Sequence, residues 1–387
     1  MKRENLSKIA VIGAGHMGHG IAEVALLSDY MASLVDINEE ILAKGKSLIE
    51  WSLKKFVTKA QITEKAYNQL VNNLETTTSI KKAAENTILC IEAVPEKLEL
   101  KKEIFKTLDR FSPKHAILAS NTSTLSITEI GSVTQRPDKV VGLHFPPPPV
   151  LAKVIEIVRG NETSEGTMEF AIAFAKKTGK SHIISKDSPG FICNRIMAPS
   201  VLLLQLMLDK GDYSPEKIDA AALNWGMIMG PYELLDYIGL DVIYDSSKSF
   251  AEHLSREYTP TRTISELVKE NKLGRKTGEG IHKWRPEGKR PVIDRSNPAD
   301  FDLMDLIRVQ INEAVKVLEE EIATVQDIDK GMKLHYHNPW GPFELVEQMD
   351  LGELTEFLDG LADKHGKKVF RAHKWIRDMT LSDRIKQ

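Results

Sequence analysis

The first thirty residues leave the chain few folds to choose from. A short apolar run, KIAVI (Lys8–Ile12), is followed by GAGHMGHG and then IAEVALL. Such a pattern reads as a buried strand, a glycine turn and a helix. Gly13, Gly15 and Gly18 are spaced GxGxxG. In a turn of this kind the first glycine permits a sharp bend. The second leaves room for a pyrophosphate against the backbone, and the third lets helix pack on strand. The helix N-terminus presents its free N–H groups and positive dipole end to phosphates, with His16 and Met17 of the turn also expected at the cofactor. Met31 to Asp36 (MASLVD) reads as the second strand, ending in an acid 23 residues after Gly13. A carboxylate there accepts bonds from two ribose hydroxyls and repels a 2′-phosphate, so the spacing predicts NAD rather than NADP.

Further strand-like runs follow at Thr87 to Glu92, Ala116 to Ser120, Val140 to His144, Lys153 to Val158 and His182 to Ser185. Helical stretches separate most of them, and a lysine-rich helical insert spans Asn38 to about Val71. Strands alternating with helices predict an α/β domain built on a parallel, doubly wound sheet. DSPG, from Asp187, breaks this pattern, and the remainder of the chain is almost entirely helical. That remainder also repeats. KIDAA…GPYELLDYIGLD (Lys217 to Asp241) returns as DIDKG…GPFELVEQMDLG (Asp327 to Gly352), with Gly230-Pro231 mapping onto Gly341-Pro342. One repeat of such length predicts a duplicated helical domain, since a solenoid needs several shorter units. The expected domains are 1–187, 188–288 and 299–387, the copies being joined by Trp284 to Pro298.

A chain of 387 residues with 42% hydrophobic and 28% charged residues is neither disordered nor low-complexity. Its net charge of −3 gives no reason to expect nucleic acid as a partner. Two distant cysteines, Cys90 and Cys193, cannot make a disulfide framework, and a Cys-based zinc site needs more of them. No metal is expected, and a reducing, cytoplasmic compartment is. No run approaches the ~18 uninterrupted apolar residues of a membrane span. Lys2 and Arg3 precede an apolar stretch, but its glycines and histidines do not suit a signal peptide. Ser382 to Gln387 carries no lipidation or retention signal.

Four polar residues stand where strands meet loops. His144 ends VVGLH, ahead of four prolines, Pro146 to Pro149. Glu156 is a charge inside the apolar run KVIEIV, costly there unless paired. A histidine is a natural partner. The carboxylate would orient one ring nitrogen while the other takes the proton of an alcohol, the general-base half of an alcohol dehydrogenation. Ser123, in SNTSTL, and Asn194, in PGFICNR, complete the set.

With these residues in place, the chain resembles the L-3-hydroxyacyl-CoA dehydrogenase family. The matching pieces are GAGHMG, the acid after the second strand, IEAVPE with Lys101 following, SNTS, GLHF, a Glu twelve residues past the His, PGFICNR, GPYELLDYIGLD and GRKTGEG. They run in the family's order from residue 7 to about 284, and the GPFEL copy resembles the duplicated C-terminal domain of longer members. The resemblance implies a Rossmann-like NAD domain followed by an all-α domain in two tandem copies. It implies His144 as general acid/base and Glu156 as its orienting partner, with Ser123 and Asn194 at the substrate's 3-oxygen and thioester. Glu96 and Lys101 would line the cofactor site, Lys276 would reach it from the second domain, and Ser52 and Lys59 would contact coenzyme A. The family's asparagine after GLHF is here Pro147, which has no polar side chain, and the segment VLLLQLML after PGFICNR is more apolar than is usual there. No enoyl-CoA hydratase region is present, so hydratase and thiolase are expected on separate chains. A homodimer and a monomer with its two helical copies packed as a pseudo-dimer are both open. Three other readings stay open: a dehydrogenase of a non-CoA hydroxy acid on the same scaffold, an NAD-binding relative without turnover, and a Ser123–His144–Glu156 hydrolase. The last lacks a GxSxG elbow.

Overall fold

The computed structural model describes residues 6–378 and 380; Lys2, Arg3 and Ser382 to Gln387 lie outside the described residues. The chain forms two compact units. One comprises the residues up to Phe191 together with Ile322–Pro339, the other Ile192–Glu321 together with the residues from Trp340 on.

The first unit is built on eight strands: β1 (Lys8–Ile12), β2 (Met31–Val35), β3 (Leu74–Thr77), β4 (Thr87–Glu92), β5 (Ile117–Ser120), β6 (Val140–His144), β7 (Val154–Arg159) and β8 (Ser181–Lys186). They lie side by side in the order β3-β2-β1-β4-β5-β6-β7-β8. The order reverses direction between β1 and β4, the place where doubly wound sheets bind ligands beyond the strand ends. Two features depart from the expected parallel sheet. β3, with the sequence LETT, lies beside β2 and lacks the apolar run that marks a strand in sequence. β7 runs antiparallel to β6. An unbroken apolar run records burial and not direction, so the sequence did not reveal the reversal.

The helices interleaved with these strands along the chain are α1 (His16–Leu27), α2 (Glu39–Thr58), α3 (Glu64–Asn72), α4 (Ile80–Ala84), α5 (Leu98–Phe111), α6 (Ile127–Gly131) and α7 (Glu165–Lys177). Alternating strand residues feed two separate cores. Ile9, Val11, Leu89, Ile91, Leu143 and Ile157 pack with residues of α1, α2 and α7. Ala10, Ile12, Cys90 and Leu118 pack with residues of α4, α5 and α6 on the opposite face. Both cysteines are buried and neither is in a disulfide, and burial pushes the Cys90 thiol up to about 11. Asn38 starts α2 by accepting the N–H of Ile41 at 2.8 Å. Asp187, at the break in the sequence pattern, accepts the N–H groups of Ile127 and Thr128 and the hydroxyl of Ser126, and so fixes the start of α6.

The helical unit holds α8 (Cys193–Lys210), α9 (Pro215–Trp225), α10 (Pro231–Ile238), α11 (Leu240–His253), α12 (Arg262–Lys269) and α13 (Met304–Glu319). α14 (Val325–His335) belongs to the sheet unit, where it packs on β7 and β8. α15 (Pro342–Val346), α16 (Leu351–His365) and α17 (Lys374–Arg377) return to the helical unit. The elements from α8 to α12 recur from α13 to α17 in the same order and at a nearly constant offset along the chain. α8 and α13 lie against each other. Arg195 joins them, its Nε 3.0 Å from Glu313 and its terminal nitrogens 2.6 and 2.7 Å from Glu320. Ser200 of α8 donates to the Leu306 carbonyl and accepts from Gln310. The connection between the sets is tied down by Arg290 on Glu233 and Arg295 on Asn224. The apolar stretch after PGFICNR is inside: Leu202, Leu203, Leu204 and Met207 are all buried. Among the described residues no helix is long and apolar enough to cross a membrane.

Candidate active site

The glycine turn has the shape its spacing demands. Gly13 sits at φ +103°, and a Cβ there would meet the Ala93 carbonyl oxygen at 2.5 Å. A Cβ on Gly18 would lie 1.7 Å from the Gly13 carbonyl oxygen, so helix and turn touch backbone to backbone. At Gly15 an added Cβ would meet nothing within 4 Å. That open space fronts the first turn of α1, with His16 and Met17, where no side chain caps the helix. Asp36 stands beside it. Its carboxylate accepts the N–H of Ala14 and of Ile37, each at 2.7 Å, and so ties the end of β2 to the turn. Open backbone, a helix N-terminus and an anchored carboxylate are the features that hold a dinucleotide's pyrophosphate and ribose, so the residues present fit NAD.

His144 ends β6, and the reversed β7 places Glu156 directly opposite it. Cross-strand partners share a face of the sheet. Nδ1 of His144 is 2.9 Å from Oε2 of Glu156, and the residues are 5% and 1% exposed. A carboxylate this deep is stable only with such a partner. An Nδ1 that donates to this carboxylate leaves Nε2 with its lone pair. Asn121 accepts the N–H of Phe145 at 3.0 Å and so holds the backbone next to His144.

A second network joins the ends of β4 and β5. Glu96 Oε1 accepts the N–H of Ser123 at 2.9 Å and of Thr124 at 3.2 Å, and the Thr122 hydroxyl at 2.5 Å. Burial works against the charged form of Glu96. Lys101 and the Thr122 and Ser123 bonds outweigh it and hold the carboxyl below its ordinary range. Lys101 is itself 1% exposed. Its ammonium lies 2.7 Å from Glu92 and 3.2 Å from Glu96, and Glu92 also takes the Ser120 hydroxyl at 2.6 Å. Sequence reasoning placed Lys101 at the cofactor; in the structure its ammonium links two carboxylates from within. Glu92 and Asn121 went unremarked, although both lie inside the quoted motifs IEAVPE and SNTS.

The expected coenzyme A residues lie on α2 and at its end. Lys59 is exposed just past its C-terminus. Ser52 is half-buried and hydrogen-bonds Glu23 of α1. In the helical unit, Asn194 is the second residue of α8, and the Lys276 ammonium pairs with the Asp241 carboxylate.

His335 was not anticipated. It ends α14, and its ring centroid is 5.5 Å from that of His144. Its Nδ1 is enclosed and without a hydrogen-bond partner. Burial, with His144 and His337 nearby, pushes the imidazole down to about 3, so it is uncharged at neutral pH. Nothing local in LHYHN distinguishes it from a surface histidine.

A family model described as 3-hydroxyacyl-CoA dehydrogenase, NAD binding domain, matches residues 8–188. A second, 3-hydroxyacyl-CoA dehydrogenase, C-terminal domain, matches residues 190–284 and 304–387. The mitochondrial hydroxyacyl-coenzyme A dehydrogenase of Sus scrofa is 40% identical over 292 residues, which cover 73% of this chain and 93% of that protein. A probable 3-hydroxybutyryl-CoA dehydrogenase of Bacillus subtilis (strain 168) is 36% identical over 281 residues, 72% of this chain and 98% of that one. The crystal structure of 3-hydroxybutyryl-CoA dehydrogenase from Escherichia coli K12 superposes with a TM-score of 0.86 at 26% identity, covering 99% of this chain and 100% of that one. With both family models matched in order along nearly its whole length, this chain belongs to the 3-hydroxyacyl-CoA dehydrogenase family and opens with that family's NAD-binding domain.

Proposed function

We propose that the protein is an NAD-dependent (S)-3-hydroxyacyl-CoA dehydrogenase that interconverts 3-hydroxyacyl and 3-oxoacyl thioesters. The observation that carries this reading is the buried His144–Glu156 pair at 2.9 Å, set in the unit that bears the glycine turn and Asp36. Bound NAD supplies the hydride acceptor. His144 takes the 3-hydroxyl proton on Nε2, and Glu156 steadies the imidazolium that forms. Ser123 holds the 3-oxygen, on a loop fixed by Glu96, and Asn194 polarises the thioester. Glu96, Lys101 and Lys276 serve the cofactor, Lys101 by neutralising Glu92 and Glu96. Lys59 and Ser52 meet coenzyme A, where a lysine suits a phosphate as a point charge.

The helical part is a tandem duplication, bounded as 188–288 and 299–387 after a nucleotide domain of 1–187. The equal element spacing supports this, as does the pairing of Glu257 with the N–H groups of Lys368 and Val369, about one repeat length away. Contacts between matching positions are the mark of a two-fold interface, here folded into one chain as a pseudo-dimer. The compartment is a reducing one, supported by two buried cysteines that form no disulfide; the cytoplasm fits it.

The test is loss of NADH absorbance with acetoacetyl-CoA, run in parallel with NADPH. NADH loss with little NADPH loss is expected, and no loss with either refutes the assignment. His144→Ala should leave NAD affinity intact and lower kcat by about 10²–10⁴; an unchanged kcat removes His144 from the reaction. The Ser52–Glu23 bond favours a second reading, a free 3-hydroxy acid as substrate, because it occupies a hydroxyl expected at coenzyme A. Turnover of free acetoacetate with none of the thioester would decide for it.

A further inference from the structure

His335 gives the His144–Glu156 pair a third member that the dehydrogenase reaction does not call for. Each of the three residues offers one ligand atom, and these atoms all lie within 4.8 Å of one another. Nδ1 of His335 is enclosed and unbonded. Two imidazoles and one glutamate are a donor set that holds Zn²⁺ with a fourth position left for water or another ligand. A tetrahedral ion with ligands at ~2.0–2.2 Å sets its ligand atoms roughly 3.4 Å apart. The widest gap here, bounded by 4.8 Å, therefore closes by about 1.4 Å at most, within reach of side-chain rotation.

We propose that His144, Glu156 and His335 form a binding site for a divalent transition ion of the zinc class, and that a bound ion and a working general base exclude each other. The ion would replace the proton shared by His144 Nδ1 and Glu156, which passes to solvent, and so hold the two groups the base depends on; this second half rests on the function proposed above. The donor set also fixes the class of ion. Imidazole selects Zn²⁺, Cu²⁺ or Co²⁺, whereas Mg²⁺ and Ca²⁺ require oxygen ligands. The site belongs to this chain through α14, which carries the third ligand back to the sheet from the second set of helices. At the matching place in the first set, the end of α9, stands Trp225, which cannot ligate a metal.

The test uses the chelator-stripped full-length chain and its His335→Gln variant, checked for folding by circular dichroism and thermal melting. Co²⁺ is added and its visible d–d absorption read; Zn²⁺ affinity is then measured against a chromophoric chelator and compared with the dose that inhibits NADH oxidation. The expectation is one tight ion per unmodified chain, inhibition that tracks occupancy, and no response to Mg²⁺. His335→Gln should weaken zinc binding about tenfold or more. If that variant does not fold, X-ray absorption at the zinc edge of the unmodified chain replaces it and should report two imidazole ligands. Equal zinc affinity in both proteins, or an edge spectrum without two imidazoles, overturns the site. Binding without loss of activity overturns the exclusion. A metal-free enzyme inactive on every hydroxyacyl substrate, yet still binding Co²⁺ through His335, overturns the proposed function and leaves the site standing.

Discussion

Glu23 in the sheet unit and Glu313 in the helical unit are buried alike, at 1% and 2% exposure, and behave in opposite ways. Glu313 faces cations. Arg195 Nε is 3.0 Å from one oxygen and Lys316 Nζ 2.9 Å from the other. Burial opposes its charge, but Lys316 and Arg195 outweigh burial and hold the carboxyl below its ordinary range. Glu23 has one hydrogen bond, from Ser52, and an oxygen with no partner. Burial dominates there and pushes it up to about 7. Equal depth thus yields a stable charge in one place and a retained proton in the other; the partners decide, not the depth. Glu156, at 1% exposure, is a third case, partnered by a group that itself gains and loses a proton.

The same substitution should therefore have opposite signs in the two units. Glu313→Gln removes one of the carboxylates that Arg195 pairs with and should cost about 3–4 kcal/mol of stability, read as a fall in the urea midpoint. A neutral result would mean that the arginine is satisfied without Glu313. Glu23→Gln should stabilise at high pH. The native chain keeps the Glu23 proton between the ordinary carboxylate value of 4.5 and about 7, whereas the unfolded chain releases it. Stability accordingly falls as pH rises through that window, by up to about 3 kcal/mol, and stays lowered above it. The glutamine variant should lose this fall between 4.5 and about 7; a profile like the parent's would mean that Glu23 ionises freely in the fold. Glu156→Gln tests the third case. It should lower kcat by about 10², the modest end of general-base effects, with little change in NAD affinity. A large stability loss with normal kcat would instead class Glu156 with Glu313. Asp36→Ala is the mildest. Its carboxylate is only half-buried and bonded to backbone, so the expected change is about a tenfold rise in KM for NAD. An unaltered KM would remove the ribose contact.

The parts of the molecule legible in the sequence are those whose chemistry is local. GxGxxG, the acid ending MASLVD and the charge inside KVIEIV each conflict with their surroundings unless they have a task, and each lies where its pattern put it. The pairing of His144 with Glu156 followed from the cost of a lone buried carboxylate. The direction of β7 did not follow, because alternation along a strand reads the same both ways. β3 escaped notice because its four residues carry one strongly apolar side chain. Lys101 was legible only as a cofactor-lining residue through the resemblance; only the fold brings Glu92 and Glu96 around its ammonium. Glu23 lies in IAEVALL, where a single acid looks like the polar side of a helix, and α2 covers that side. His335 is the extreme case. Its significance depends on β6, which precedes it by half the length of the chain.

The hairpin formed by β6 and β7 carries a constraint on how this protein can vary. His144 and Glu156 meet because they stand opposite each other across an antiparallel pair. Side chains on a strand alternate faces, so shifting β7 by a single residue would turn Glu156 away from the imidazole while leaving both strands intact. The connecting segment sets that register. Its proline run is anchored from below by the Lys180 ammonium, which donates to the carbonyls of Pro149 at 2.8 Å and Ala152 at 2.5 Å. Chemistry at His144 thus depends on parity. A change of pairing by two residues brings a side chain of β7 to the correct face but the wrong identity, and a change by one brings Glu156 to the wrong face.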